Sequence, residues 1–183
     1  MRLYDLLKLN DCINATFFES SFADVEIILS EIFNNEIKGG IDSSIKDKNV
    51  LKFLGKDAFP LKNKRIAAIY EPSNKPGCTV FLSNLSDGWY TLVNLLNHKL
   101  KEYSYRVTLS SCETQYPKNL FEVFESGSSK RIIMTLKDGA KWQFFEEGDR
   151  LEFEDIKSYA HRRIKDRLTP NTIVKYLEYN NWK

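Results

Sequence analysis

The sequence predicts an α+β fold, an antiparallel sheet of about six strands with helices before, within and after it. Three observations carry this expectation. From Arg65 to Glu147, short runs rich in β-branched and aromatic residues alternate with turn residues. Within that stretch the Asp138-Gly139 step supplies the positive φ that a two-residue hairpin loop needs. Segments of 3.6-residue periodicity precede, interrupt and follow the strands.

In chain order, RLYDLLKL is a short helical candidate and INATFFES a short strand. FADVEIILSEIF is the clearest early helix, with Phe22, Val25, Leu29, Ile32 and Phe33 on one face, and Ser21 with Asp24 three residues on as a cap. From 34 to 64 the chain turns polar and Gly/Lys-rich, marking a flexible zone with one candidate short helix, NVLKFLG, stopped by Gly55. RIAAIYE and CTVFLSN flank the turn PSNKPG and read as a hairpin. SDGWYTLVNLLNHKLK is a helix whose apolar face is Trp89, Leu92, Val93, Leu96 and Leu100, with Ser86 or Asp87 as cap. YSYRVTLSS, NLFEVFES, RIIMTLK and AKWQFFEE complete the meander. A helix from about Phe153 to Leu168 is expected next, with Phe153, Ile156, Ala160, Ile164 and Leu168 inward; Thr169 then caps a last helix with Pro170 at its first position.

The 183 residues suit one domain spanning 1–183, and 42% hydrophobic residues suffice for one core. No run approaches the roughly 20 apolar residues of a membrane-spanning helix and the first residues do not read as a signal peptide, so a cytoplasmic protein without a membrane partner is expected. Cys12, Cys78 and Cys112 form no CxxC pair, which argues for thiols in a reducing compartment and against a zinc knuckle. A net charge of +2 lacks the strong basic excess of a dedicated nucleic-acid binder.

Local motifs for chemistry fail in turn. His98 and His161 lie on polar helix faces without ligand-type neighbours, no G-x-S-x-G elbow is present, and the eight glycines form no phosphate loop. Glu36-Ile37-Lys38 has carboxylate-x-lysine spacing but sits at a helix end rather than on a strand. The reading is therefore a noncatalytic protein with no cofactor, metal or catalytic residue.

Two charged features remain. FFEEGDRLEFED crowds Glu146, Glu147, Asp149, Glu152, Glu154 and Asp155 at a strand end, where carboxylates either favour a following helix N-terminus or steer a basic partner. HRRIKDR, with Lys130, Arg131 and Arg106, either neutralises a helix C-terminus or contacts nucleic-acid phosphates through the Arg162–Arg167 helix. Trp89 and Trp142 are assigned to the core; Tyr90, Trp182, Tyr103 and Tyr105 are assigned to a contact surface. An enzyme whose site converges only in the fold is a further alternative.

The run from Lys141, KWQFFEEGDRLEFEDIKSYAHRRIKDRLTPNTIVKYLEYNNW, resembles a W-x-F-F-x-x-G-x-x-L-x-F-E block followed by Y-x-x-R-R-I-x-D-R-L and a final amphipathic helix. This arrangement is similar to small bacterial proteins of the immunity type, encoded beside toxins. The resemblance covers about the last quarter of the chain and implies a partner, a cognate toxin domain, whose active site such proteins occlude. Glu146, Glu147, Asp149, Glu152, Tyr103 and Tyr105 are the candidate contact residues.

Overall fold

The computed structural model describes residues 12–33, 67–83, 85–110 and 116–182. The expected opening helix, the 34–64 zone, NVLKFLG, Glu36-Ile37-Lys38 and Cys112 lie outside the described residues. The fold is α+β. Seven described strands make one antiparallel sheet: β1 (Cys12–Phe18), β2 (Ala67–Tyr70), β3 (Thr79–Ser83), β4 (Ser104–Ser110), β5 (Lys118–Glu125), β6 (Ser128–Asp138) and β7 (Lys141–Glu147). Helix α1 (Phe22–Ile32) follows β1 and α2 (Tyr90–Leu100) follows β3. After β7 come α3 (Ile156–Tyr159), a 3-10 turn at Ile164–Asp166, and α4 (Pro170–Tyr179).

The strand order is β2-β3-β1-β4-β5-β6-β7, so the expected meander is corrected at one place: β1 inserts between β3 and β4. Its register pairs Ala15 with Leu82 on one side and Val107 on the other. The physical reason is in the strand itself. Residues 13 to 18 of β1 are all buried, because Ile13, Ala15 and Phe17 meet one core and Phe18 the other; such a strand belongs in the middle of a sheet. β2 and β3 pair as the predicted hairpin.

Each face of the sheet carries its own core. Ile13, Ala15, Phe17, Val107, Phe121, Val123 and Ile133 pack against Leu168, Ile173, Tyr176 and Leu177 of the C-terminal segment. On the opposite face Phe18 and Phe81 meet Val25 and Leu29 of α1 and Leu92, Val93 and Leu96 of α2. These are the apolar positions that the 3.6-residue spacing selects. The predicted caps of α1 and α4 form, with Ser21 accepting from the Asp24 amide and Thr169 from the Thr172 amide at 3.2 Å. At α2 the cap differs. Asp87 accepts from the Trp89 amide at 2.9 Å, and Trp89 itself is the N-cap at φ 59 without capping through its side chain.

The hairpin loop between β6 and β7 is shifted by one residue from the expected one. Asp138 pairs with Lys141, leaving Gly139 and Ala140 as the loop; Gly139 takes its first position at φ 56, the type II′ pattern.

The helix expected from Phe153 to Leu168 is replaced by α3, a break and the 3-10 turn. Ile156 is 47% exposed and Ala160 is exposed, whereas Glu154, Ser158 and Tyr159 are buried. A polar anchor rather than an apolar stripe sets the inward face. Glu154 bonds the buried Arg131, Tyr159 donates to Glu154, and Ser158 donates its hydroxyl to backbone carbonyls of Asp155 and Arg167. No continuous Arg162–Arg167 helix therefore exists to present a basic stripe. Arg163 is paired with Asp166 at 2.6 Å, and Arg167 donates to the His161 carbonyl at 3.0 Å.

Candidate interaction site at one end of the sheet

The antiparallel registers gather distant parts of the chain at one end of the sheet. Phe18 lies beside Thr79 and Ser104, Ser104 beside Phe124, and Glu125 beside Ser128. Tyr103, just before β4, and the turn after β7 therefore sit toward the same end. Gly148 brings the second close: a Cβ there would stand 2.0 Å from the Lys130 carbonyl oxygen.

Tyr103 is 39% exposed and held in place on the surface. Its hydroxyl donates to Glu125, Lys130 also binds Glu125, and the Lys130 ammonium lies 5.8 Å from the Tyr103 ring centroid. The hydrogen bond to Glu125 raises the Tyr103 pKa, and that from Lys130 lowers the Glu125 pKa, each in its direction of mutual stabilisation.

The acidic residues after β7 divide by partner. Glu146 accepts from Arg131 at 2.6 Å and from Arg150 at 2.7 Å, and Glu152 accepts from the Tyr179 hydroxyl. Glu154 is buried against Arg131 at 2.7 Å. Glu147 and Asp149 are exposed and carry no ion pair among the described residues. Tyr105, expected beside Tyr103 on the surface, is 7% exposed, and its hydroxyl donates to Asn180 at 3.0 Å. Tyr103 precedes the strand, whereas Tyr105 shares the face of Val107 and Leu109 within β4, which the C-terminal segment covers. Burial pushes its phenol up to about 12. Trp182 is also buried, edge-on to Phe17 at 5.0 Å, with its indole N–H on Glu19 at 3.0 Å. Trp89 and Trp142, assigned to the core, are half-buried.

The Arg150 and Arg131 hydrogen bonds hold the Glu146 carboxyl down at about 2, against the opposing pull of desolvation. A depressed carboxylate pKa means that this stabilisation is present above the ordinary glutamate range and is lost as pH falls from there toward about 2. In Glu146→Gln the acid limb of the unfolding curve between those pH values is expected to flatten, as followed by circular dichroism against pH.

The rim continues onto the α1 and α2 side, where the Glu19 amide donates to the Tyr103 carbonyl at 2.9 Å. A depression of about 400 Å³ opens there, lined among others by Asp24, Ile27, Lys99, Leu100 and Glu102. Ile27 is 57% exposed at its edge. Beneath it Glu19 accepts from Lys75 and Cys78. Burial, reinforced by the Glu19 charge, pushes the Cys78 thiol up to about 11, so it is a packed thiol and not a poised thiolate. Among the described residues no group of three or more His, Cys, Asp and Glu is placed to hold a metal ion, and no helix is long and apolar enough to cross a membrane.

Buried ion pairs are what sequence reading missed. Arg106 pairs with Glu122 across β4 and β5, and Arg106 stacks 4.4 Å from the Tyr90 ring centroid. One signal was available: YRVTLSS sets Arg106, and NLFEVFE sets Glu122, among residues that are largely apolar or small. Arg131 and Glu154, 23 residues apart, offered none, because their meeting depends on how the chain turns after β7.

The arrangement can present one fixed tyrosine, a Glu–Lys pair, two unpaired carboxylates and an apolar side chain to a protein surface. No family model, curated protein or solved structure matches this chain.

Proposed function

We propose that this chain is a noncatalytic binding protein of the immunity type, neutralising a cognate toxin domain by direct association through the Tyr103 and Asp149 end of the sheet. The observation that carries the reading is Tyr103, exposed yet already fixed by Glu125 and Lys130, at the same end of the sheet as the unpaired carboxylates Glu147 and Asp149. Tyrosine supplies large amphipathic contact area, and one ordered before binding loses little freedom on binding. Free carboxylates at that end favour a partner surface bearing Lys or Arg and accelerate encounter at low salt. The resemblance of the last quarter of the chain supplies the toxin as the class of partner.

Surface plasmon resonance against a toxin domain encoded beside this gene tests it. Tyr103→Ala is expected to speed dissociation by about tenfold or more. Asp149→Lys is expected to slow association by roughly three- to tenfold and to reduce its salt dependence. Parental rate constants for both variants would place the contact elsewhere, and absence of any such toxin from the gene neighbourhood and from native copurification would sink the immunity reading.

A further inference from the structure

β7 ends the sheet, and among the described residues no strand pairs with its outer edge and no backbone hydrogen bond is made to it. It is seven residues long, KWQFFEE, with no proline and no register shift against β6. Proline, bulges and charge are the usual devices that blunt an edge; β7 carries only charge, and its charges are placed so that they can pair across a twofold axis. The pair Asp138 and Lys141 flanks a two-residue loop and is therefore hydrogen-bonded. It follows by alternation that the amides and carbonyls of Lys141, Gln143, Phe145 and Glu147 point to β6, while those of Trp142, Phe144 and Glu146 point outward.

We infer that a second copy of this chain occupies this edge, β7 against β7, antiparallel about a twofold axis at Phe144. Only outward-pointing groups can bond across such an axis, which sets Phe144 opposite Phe144 and Trp142 opposite Glu146 of the second copy. The same register sets Lys141 opposite Glu147 of the second copy, twice by symmetry. Those two pairs fall at non-hydrogen-bonded positions, where facing side chains approach most closely. The charge complementarity is the argument for a second copy over any other strand: the sequence of β7 is its own complement, cationic at its start and anionic at its end. Both residues are exposed and neither has an ion pair among the described residues.

The open face agrees. Lys141, Gln143, Phe145 and Glu147 lie on the side away from the C-terminal segment, with Phe145 43% exposed across from Met134. Ile132, Met134 and Leu136 are half-buried beside it. In the paired sheet the two Phe145 rings become diagonal neighbours, within reach of aromatic contact. The interface shares Glu147 with the proposed toxin contact but leaves out Tyr103 and Asp149, so sedimentation of the chain alone and the binding kinetics of the Tyr103 and Asp149 variants test the two readings separately.

Sedimentation velocity of the full chain over a concentration series is the test, with folding checked by circular dichroism. The parent chain is expected to dimerise, Lys141→Glu or Glu147→Lys alone to raise the dimer dissociation constant by about tenfold or more, and the double exchange Lys141→Glu/Glu147→Lys to restore it. A parent that remains monomeric overturns the inference, including one that binds an extended peptide of another protein at this edge. A dimer indifferent to the single reversals, or not restored by the double exchange, overturns it equally.

Discussion

Arg131→Met is expected to lower unfolding stability by about 3–5 kcal/mol in urea titrations, the cost of leaving a buried charge without its partner. The Arg131 side chain is 1% exposed and Glu154's is fully buried. Its guanidinium bonds both Glu154 oxygens, one Glu146 oxygen and the carbonyls of Glu147 and Gly148. Those bonds hold the chain as it leaves β7 and folds back across the sheet, so their loss exposes several acceptors at once. The hydrogen bonds it donates to both carboxylates keep the guanidinium charged despite the opposing pull of burial, which is the largest single influence on it. The double variant Arg131→Met/Glu154→Gln is expected to recover a large part of the loss. Glutamine removes the orphaned charge while its carbonyl still accepts from Tyr159 or the Leu151 amide. A single variant as stable as the parent would mean that the pair contributes no net stability.

Gly148→Ala is expected to cost about 2–4 kcal/mol in the same titration, or to prevent folding, because strain and overlap coincide. Gly148 has φ +84, a region that L side chains seldom enter. An added Cβ would lie 2.0 Å from the Lys130 carbonyl oxygen and 3.2 Å from the Arg131 Cα, and neither is a flexible side-chain end. Gly139→Ala is the control. Its φ is +56 but no atom stands within 4 Å of the added Cβ, so only conformational strain of about 1 kcal/mol is expected. Equal costs at the two glycines would refute the close approach at Lys130.

Gly148 lies in the block from Lys141 and Arg131 bonds Glu154 within it, so both substitutions bear on how that block is held. Gly148, Glu154, Tyr159 and Leu168 all belong to that pattern, and each is buried or closely packed except Gly148, whose backbone abuts β6. These four residues hold the path of the chain after β7; the residues proposed to meet a partner lie at exposed positions between or outside them. Glu147 and Asp149 are unspecified positions of the pattern, and Tyr103 precedes it by some forty residues of sequence.

Much of the candidate site was legible and some was not, for separable reasons. Acidic clustering at 146–155 is a property of composition, yet which carboxylates stay unpaired depends on where Arg131 and Arg150 reach. Tyr103 and Tyr105 are two residues apart at the start of one strand, yet Tyr103 is 39% exposed and Tyr105 only 7%. Side-chain alternation alone would put both on one face; they differ because Tyr103 precedes β4, whereas Tyr105 lies within it under the C-terminal segment.

By itself the sequence determined the α+β class, the hairpins, the apolar faces of α1 and α2 and the caps of α1 and α4, since each depends on residues within one or two turns of one another. It placed turns at Gly139 and before Pro170 for the same reason. Only the tertiary structure decided that β1 enters the sheet centre, that the 153–168 segment breaks instead of forming one helix, and that Arg131 is sealed against Glu154. These outcomes rest on contacts between residues distant along the chain. The periodicity that predicted one amphipathic helix carried no term for a buried charge, and satisfying Glu154 and Arg131 outweighed the apolar stripe it described.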